Sequence, residues 1–413
     1  MAGTVHIIGA GLAGLSAAVR LAGRGHAVVV HEATQQAGGR CRSYYDQFAG
    51  MMIDNGNHLL LSGNREALAY VHAIGTESRL VGPPSAEFPF IDLASKKQWT
   101  LQLGNGRFPS WVLDDKRRVP DTRPFDYLRY APLLWASARK TMGETVPCEG
   151  TLYGRLVQPL MLAALNVDPR EGSAALAGTI LRETLAAGGQ ACRPLIARDG
   201  LSGALVEPAV EFLQQRNVAV RFGRQLRGFK FSDKQIAALD FGEEVVPINS
   251  DDAVILAVPP WIAASLIPDL KTPTVFRAIV NGHFRVEPPR NFPPIIGVLN
   301  GVVEWIFAFH NRLSVTISAA DRLLDMPRED LGHQIWHEVA TVARLPDTLP
   351  PWQIVRERRA TFAATPQENA KRPGVETAWS NLYLAGDWTD TGLPATIESA
   401  VRSGHRAAAR IQG

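Results

Sequence analysis

Cysteine is scarce in this chain, with only Cys41, Cys148 and Cys192 among 413 residues. The three lie far apart without the close spacing of metal-binding cysteines, so the sequence indicates neither a disulfide framework nor a metal site. Long apolar runs are also missing, since none approaches the ~18–20 residues that span a bilayer. No basic segment with an apolar core precedes the first predicted strand, so no signal peptide is expected. These absences favour a protein of the cytoplasm.

A strong excess of charge of either sign is missing as well. The chain has 43 Lys and Arg against 40 Asp and Glu, which gives a formal net charge of +3. This excess is too small to indicate a nucleic-acid partner. Hydrophobic residues make up 46% of the chain, enough for a sizeable core. The length predicts two domains, or one large domain with an insertion.

What the chain does have is a dense motif at its N-terminus. Val5–Ile8 is a short apolar run, and the glycine-rich turn Gly9-Ala10-Gly11-Leu12-Ala13-Gly14 follows it directly. An alanine-rich stretch, a second apolar run at Ala27–Val30 and the acid Glu32 come next. The order of strand, turn, helix, strand and acid is typical of a dinucleotide-binding βαβ unit.

Each part of this motif has a physical role in that interpretation. Gly9 allows the tight turn, Gly11 lets the backbone approach a pyrophosphate, and Gly14 lets the helix pack closely on the strand. The N-terminus of the helix, where Ala13 lies, presents free N–H groups to the phosphates. Glu32 can accept a hydrogen bond from the 2′-hydroxyl of the adenosine ribose and would repel a 2′-phosphate.

A second glycine-rich segment, Gly38-Gly39-Arg40, follows the acid. It could be an ordinary surface loop with a solvated basic residue. Its place just after the βαβ unit favours a second phosphate contact instead, with glycine backbone near the dinucleotide and the Arg40 guanidinium paired to it.

The C-terminus carries the other strong signal. Asn381–Ala385 is a predicted strand that ends at Gly386-Asp387, and Thr396 and Ile397 open a predicted helix a few residues later. The N-terminus of such a helix presents free N–H groups and the positive end of the helix dipole, which stabilise a nearby negative charge.

Together these segments resemble the FAD-dependent amine oxidase and phytoene desaturase superfamily, in which a Gly-Gly-Arg triplet follows the ribose acid in the same way. The resemblance implies that FAD is the cofactor and that Asp387 bonds its ribityl chain. It also implies that Gly56, Asn57 and His58 lie near the isoalloxazine ring, and that the backbone of Leu226 meets the adenine.

The fold expected from this resemblance is a mixed α/β (α+β) fold with a discontinuous, Rossmann-like FAD-binding domain. That domain would comprise residues 1–85, 195–265 and 375–413. Residues 86–194 and 266–374 would form a substrate domain with an antiparallel sheet, helices and an aromatic-rich insertion. Within it, Ile295–Ala319 predicts an antiparallel meander with a hairpin turn at Asn300-Gly301, and Leu331, Ile335, Val339 and Val342 predict one buried helix face.

Within the superfamily, the chain looks most like the hydroxysqualene dehydroxylase branch of squalene and hopanoid biosynthesis. That similarity rests on Asp54–His58, Gln158–Asn166 and Gly386–Thr389 and on the compact length. It implies removal of an allylic hydroxyl from hydroxysqualene, with hydride from reduced FAD and an acid that protonates the leaving group. His58, Glu304 and Glu398 are the candidates for that acid.

The resemblance also bears on partners. Only one dinucleotide fingerprint is present, so we expect an external electron donor rather than a stable NADPH site. An insoluble substrate implies peripheral contact with the inner face of the membrane, for which Tyr127–Lys140 is the candidate segment. The alternative for that segment is a buried helix of the substrate domain.

Three other functions remain open at this point. A carotenoid or polyprenyl desaturase would run the redox chemistry in the opposite direction on a similar hydrocarbon. An amine oxidase would need a lysine-held water at the flavin, for which no lysine is convincingly placed. A prenyl-binding escort protein would use the same fold without flavin, but Glu32, Arg40 and Asp387 speak against that.

Overall fold

The computed structural model describes residues 3–106 and 108–411. Its helices are α1 (Leu12–Ala22), α2 (Arg65–Ala73), α3 (Pro124–Leu128), α4 (Gln158–Leu165), α5 (Ala174–Glu183), α6 (Glu207–Gln214), α7 (Pro260–Leu266), α8 (Arg328–Ala343), α9 (Pro366–Asn369) and α10 (Ile397–Ala408). Its strands are β1 (Thr4–Ile8), β2 (Ala27–His31), β3 (Ser43–Asp46), β4 (Met51–Asp54), β5 (Leu60–Leu61), β6 (Leu80–Val81), β7 (Glu87–Asp92), β8 (Gln98–Gln102), β9 (Pro194–Ala197), β10 (Ala219–Arg221), β11 (Gly228–Ser232), β12 (Gln235–Asp240), β13 (Val245–Pro247), β14 (Ala253–Leu256), β15 (Phe276–Arg285), β16 (Ile295–Leu299), β17 (Trp305–Phe309), β18 (Arg312–Ile317), β19 (Trp352–Phe362) and β20 (Leu382–Leu384).

A five-stranded parallel sheet joins parts of the chain that are far apart in sequence. Its strand order is β10-β2-β1-β14-β20. Strands β1, β14 and β20 are almost entirely apolar and buried, as expected for parallel strands covered on both faces. This sheet, with the helices around it, confirms the mixed α/β fold class. The exact limits of the two predicted domains stay a prediction.

Two helices cover one face of this sheet at very short distance. A Cβ atom at Gly14 of α1 would lie 1.9 Å from the carbonyl oxygen of Gly9, and one at Gly404 of α10 would lie 2.1 Å from the carbonyl oxygen of Ala13. Only glycine fits at these two contacts, so the N-terminal and C-terminal helices are locked together around the glycine-rich turn.

A seven-stranded sheet, in the order β19-β15-β18-β17-β16-β7-β8, forms the second layer. All neighbours are antiparallel except β7 and β16. The predicted meander is present, although the connection between β16 and β17 covers residues 300–304 and is longer than a two-residue hairpin. Helix α8 packs on one face of the sheet through Leu331, Ile335, Val339 and Val342, all buried as predicted.

The insertion between the two sheets differs in part from expectation. In this insertion a π-helical turn at Tyr153–Val157 directly precedes α4. Tyr127–Lys140 is neither a buried helix nor a long amphipathic one. It contains the end of α3 and a 3-10 turn at Ala131–Trp135. Proline at positions 124 and 132 begins each short element and prevents the two from merging into one helix.

A buried ion pair ties the two layers together. Arg312 of β18 donates from Nη2 to Asp54 Oδ2 at 2.8 Å, and both side chains are almost inaccessible. The other oxygen of Asp54 accepts hydrogen bonds from Ser43 Oγ at 2.6 Å and from the backbone of Leu201 at 2.8 Å. The Arg312 guanidinium also lies 3.9 Å from the centre of the Phe309 ring. One carboxylate therefore joins three separate stretches of chain.

Two further properties of the described residues concern membranes and metals. In residues 3–106 and 108–411, no helix has the length and apolar character needed to cross a bilayer. The same residues contain no group of three His, Cys, Asp or Glu side chains arranged to hold a metal ion.

The buried pair predicts a large loss of stability when one partner is removed. Arg312→Met leaves the Asp54 carboxylate uncompensated in the interior, and we expect a loss of about 3 to 5 kcal/mol in the free energy of unfolding. Lys97→Met, which removes one side of an exposed pair with Asp121, serves as the control and should leave the urea midpoint nearly unchanged. Equal midpoints for the two variants would contradict this prediction.

Candidate functional site

The glycine-rich turn after β1 has the shape that a dinucleotide phosphate requires. Gly9 adopts φ +105°, and a Cβ there would meet the carbonyl oxygen of Ala257 at 2.5 Å. A Cβ at Gly11, by contrast, would meet no protein atom within 4 Å. The backbone at Gly11 therefore borders open space at the N-terminus of α1, where a phosphate can approach the helix dipole. Ala13, in the first turn of α1, is buried beneath it.

Glu32 lies at the end of β2, buried beside this turn. Its Oε2 accepts a hydrogen bond from the backbone of Ala10 at 2.8 Å, and its Oε1 accepts two from Thr34 at 2.8 Å. A carboxylate has about four acceptor sites, so one remains for an outside donor such as a ribose hydroxyl. The backbone of Arg224 donates to the Glu32 carbonyl at 2.8 Å, which brings the segment leading to Leu226 next to the acid. The Leu226 side chain is buried.

The second glycine segment lies against the first. Gly38 donates from its backbone to the Ala10 carbonyl at 2.7 Å, and the nearest atom to a Cβ at Gly39 would be the Gly11 Cα, at 3.5 Å. Both Gly38 and Gly39 have positive φ angles, of 103° and 58°. The two glycine segments thus border the same space, and the predicted phosphate contact of the second segment stays a prediction.

Arg40 then reaches across to the C-terminal motif. Its Nη2 donates to both carboxylate oxygens of Asp387 at 2.7 Å, and its Nη1 donates to the Ala360 carbonyl on β19. Burial alone would lower the Arg40 pKa, but the Asp387 carboxylate outweighs this and raises it. The Arg40 side chain is 44% exposed, yet the surrounding protein is close enough to desolvate it. We conclude that the exposed part lines an interior space. A guanidinium held in this way keeps donors available for a phosphate.

The loop that carries Asp387 is held by Arg372, a residue that the sequence did not single out. The Arg372 guanidinium is buried and donates to the carbonyls of Asp387 and Trp388 at 3.3 Å and to that of Thr389. Burial lowers the pKa of Arg372 to about 10. No sequence signal could have identified it, because an arginine in a connecting segment is normally solvated.

The start of α10 closes this side of the space. Thr396 is the N-cap residue, and its Oγ1 accepts a hydrogen bond from the backbone of Ser399 at 3.1 Å. Ser399 Oγ in turn donates to the Asp387 carbonyl at 3.3 Å. Gly386, Asp387, Thr396 and Ile397 are therefore neighbours in space, as the predicted cofactor role requires. That role itself stays a prediction.

The segment from Asp54 to His58 is fixed on the seven-stranded sheet. The Asn57 amide donates to the Val315 carbonyl at 3.0 Å, and its backbone donates to Asn281 Oδ1 at 3.2 Å. A Cβ at Gly56 would lie 3.2 Å from Asn281 Nδ2, so this segment crosses the sheet closely. Asn281, which sequence reasoning missed, fixes Asn57 through its side chain. The Asn57 amide nitrogen is consequently committed to the protein, whereas its buried Oδ1 has no hydrogen-bond partner among the described residues.

The three candidate acids have very different surroundings. Burial lowers the pKa of His58 to about 4, against the opposing effect of Asp54. Burial raises the pKa of Glu304 to about 7. Glu398 accepts hydrogen bonds from the backbone of Glu66 and Ala67 in the first turn of α2 and pairs with Arg402 at 3.0 Å. These contacts favour a structural role for Glu398 over proton donation.

Glu304 is connected to the cofactor residues through hydrogen bonds at one end of the seven-stranded sheet. Its carboxylate accepts a bond from the backbone of Ser318 at 2.8 Å, and the next backbone N–H, of Ala319, donates to Asn166 Oδ1 at 2.6 Å. The Asn166 amide then donates to Thr361 at 2.9 Å. Thr361 follows Ala360, whose backbone carbonyl accepts a hydrogen bond from Arg40. Asn166, buried with φ 54° at the end of α4, is a second link that sequence reasoning missed.

An aromatic group packs on the seven-stranded sheet and includes Trp305, the residue that follows Glu304. The rings of Phe90 and Trp99 stack with centroids 5.6 Å apart, and Trp305 meets Phe90 edge-on at 5.6 Å. Gly297 makes this possible, because a Cβ there would lie 2.5 Å from the Phe90 ring. These rings belong to one apolar cluster with Leu156 and other side chains of the insertion. Among the described residues, the buried indole N–H groups of Trp99 and Trp305 have no acceptor.

Alanine substitutions at Gly11 and Gly14 should have two different effects, one on flavin binding and one on stability. Gly11→Ala places a methyl group in the open space at the phosphate position, so we expect a folded apoprotein that binds much less flavin. Gly14→Ala forces a Cβ against the Gly9 carbonyl and should lower the thermal stability of the apoprotein itself. Apoprotein melting temperature and flavin absorbance per protein measure the two effects. A Gly11→Ala protein with full flavin content would contradict the assignment.

Comparisons with known proteins agree with this geometry. The family described as Flavin containing amine oxidoreductase matches residues 12–412. A hydroxysqualene dehydroxylase of Rhodopseudomonas palustris is 63% identical over 409 residues, which cover 99% of this chain and 98% of that protein. Another from Zymomonas mobilis is 48% identical over 403 residues, covering 98% and 97%. In fold, the cyclohexylamine oxidase of Brevibacterium oxydans matches with a TM-score of 0.73 at 17% identity, covering 100% of this chain and 99% of that one. The chain therefore belongs to the flavin containing amine oxidoreductase family and, within it, to the family of the hydroxysqualene dehydroxylases.

Proposed function

We propose that this chain is an FAD-dependent enzyme that removes the allylic hydroxyl of hydroxysqualene reductively and releases squalene. The observation that carries the proposal is the carboxyl group of Glu304, whose pKa is raised to about 7 and which directly precedes Trp305 of an aromatic cluster. It is linked by hydrogen bonds to the segment that Arg40 contacts. Such a group can protonate a leaving hydroxyl where a hydrocarbon can bind. The names of the similar dehydroxylases support hydroxysqualene as the substrate.

The residues around the glycine-rich turn fit FAD. Gly11 and Gly39 border open space at the N-terminus of α1, and Glu32 keeps an acceptor site for the ribose. Arg40 lies where it can pair with the pyrophosphate, and Asp387 where it can accept from the ribityl chain. When bound in its reduced form, FAD supplies the hydride that replaces the hydroxyl.

Glu304 is our candidate for the general acid. Hydroxide is a poor leaving group, so protonation of the oxygen as the C–O bond breaks lowers the barrier. With a pKa near 7, Glu304 holds a proton in about half of the molecules at neutral pH and can still release it. The proton and the hydroxyl leave together as water, and the hydride forms the new C–H bond. His58, with a pKa near 4, is uncharged at neutral pH and suits this step less well.

The aromatic cluster is suited to the organic part of the reaction. Loss of the hydroxyl leaves positive charge spread over an allyl group, and aromatic side chains that border the substrate would stabilise such charge. The apolar side chains of the same cluster bind the hydrocarbon and exclude water.

Electrons must come from outside the chain in this proposal. The sequence contains one dinucleotide fingerprint, and we assign it to FAD. An external donor, either a reductase or a nicotinamide nucleotide that binds transiently, would reduce the flavin between turnovers. We place the reaction at the inner face of the membrane, where an insoluble isoprenoid is available.

An anaerobic single-turnover experiment tests the proposal. Flavoprotein reduced with dithionite is mixed with hydroxysqualene, and flavin reoxidation and products are followed together. We expect one squalene per flavin oxidised. Flavin that stays reduced over unchanged alcohol would contradict the proposal, and oxidised enzyme would then be assayed with polyenes as a desaturase.

The proposed role of Glu304 predicts how the single-turnover rate depends on pH. Because the acid must be protonated, the single-turnover rate should fall as the pH rises above about 7. Glu304→Gln cannot donate the proton, so we expect a rate about 10²- to 10⁴-fold lower that no longer depends on this ionisation. His58→Gln is the control and should keep the pH profile. A Glu304→Gln enzyme with wild-type rate and profile would exclude Glu304 as the acid.

A further inference from the structure

Five of the exposed large apolar side chains among the described residues lie in one segment of the insertion. They are Phe108 (74% exposed), Leu113 (64%), Phe125 (79%), Leu128 (63%) and Trp135 (80%). All five lie within 28 consecutive positions of the insertion. Leaving such side chains in water is unfavourable by about 1.5 to 3 kcal/mol each relative to burial, so their concentration indicates a surface that is covered in use.

The short elements of this segment pack against one another. The Trp111 ring, in the 3-10 turn Ser110–Leu113, meets the Tyr127 ring of α3 edge-on with centroids 5.2 Å apart. Phe125 and Leu128 are three residues apart in α3 and so lie on the same side of that helix. Trp111 and Tyr127 point inward while Phe125 and Leu128 point outward. The exposure of the outer side chains therefore follows from the folded structure of the segment.

The excess of basic over acidic residues in the chain lies entirely within this segment. Residues 108–140 contain seven Lys and Arg and four Asp and Glu, which leaves 36 basic and 36 acidic residues in the rest of the sequence. Exposed basic side chains flank the apolar ones, namely Lys116, Arg123, Arg129, Arg139 and Lys140. Apolar aromatic groups with basic neighbours match the interface of an anionic bilayer, where the rings enter the headgroup region and the cations meet phosphates.

We propose that residues 108–140 form a docking surface that inserts Phe125, Leu128 and Trp135 into an anionic membrane. We name it the docking segment. The inward side of this segment contributes Trp111 and Tyr127 to the apolar cluster that also contains Trp305. In the proposed function, an isoprenoid would therefore enter from the bilayer on this side of the molecule. This last point rests on the proposed function, whereas the docking itself does not.

Vesicle flotation tests the docking segment. Purified holoprotein is mixed with phosphatidylcholine vesicles that contain phosphatidylglycerol, and the floated fraction gives the partition coefficient. We expect the wild type to float, Phe125→Ser with Trp135→Ser to lower the partition coefficient at least about tenfold, and Arg123→Gln with Arg129→Gln to lower it roughly tenfold. Phe48→Ser with Met52→Ser is the matched control, since Phe48 is 78% exposed and Met52 49% exposed on another hairpin.

The outcomes separate clearly. Wild-type protein that does not float with anionic vesicles overturns the proposal, and so does an equal loss of flotation in the Phe48 and Met52 variant. Turnover of detergent-dissolved hydroxysqualene is measured in parallel. It should be unchanged in the Phe125 and Trp135 variant, because those side chains project from the surface. If no variant and no wild type turns over the substrate, the proposed function fails while flotation still reports on docking.

Discussion

The site depends on one buried carboxylate, that of Asp54. Its two oxygens hold Ser43 and the backbone of Leu201 from the nucleotide-binding layer, and Arg312 from the seven-stranded sheet. Buried charges are unfavourable unless they are paired and hydrogen-bonded, and this one is both. The pair therefore fixes the distance between the two layers. The space lined by Arg40, the glycine segments and the Asp54–His58 segment exists because the layers are held at that distance.

Enclosure between the layers also sets the ionisation of the site. The same desolvation that lowers the pKa of His58 to about 4 raises that of Glu304 to about 7, since in both cases burial disfavours the charged form. Burial also opposes the charge on Arg40, but the facing Asp387 carboxylate outweighs this effect and raises the Arg40 pKa. Burial thus leaves a neutral imidazole at His58 and a protonatable carboxyl at Glu304, while Arg40 is a cation paired with Asp387. The chemistry that we propose uses these three different ionisation states.

Sequence alone predicted the parts of the site whose geometry is local. Gly9, Gly11 and Gly14 have their spacing fixed by one turn and one helix, so the motif determines the structure. Asn281, Arg372 and Asn166 could not be found in this way. Each acts by meeting a partner far away in the chain, as Asn166 does at Thr361 and Ala319, and an isolated Asn or Arg has no pattern. For the same reason the sequence could not show the structural role of Glu398. The backbone N–H groups of α2 that donate to its carboxylate lie more than 300 positions away.

The two halves of the seven-stranded sheet present different kinds of side chain. Strands β15 and β18 present Asn281, Thr316 and Arg312, which bond the segment beside the cofactor space. Strands β7, β8, β16 and β17 present aromatic and aliphatic side chains toward the insertion. Since the outer side of the insertion is the docking segment, the apolar half of the sheet is also the half from which a hydrocarbon would arrive.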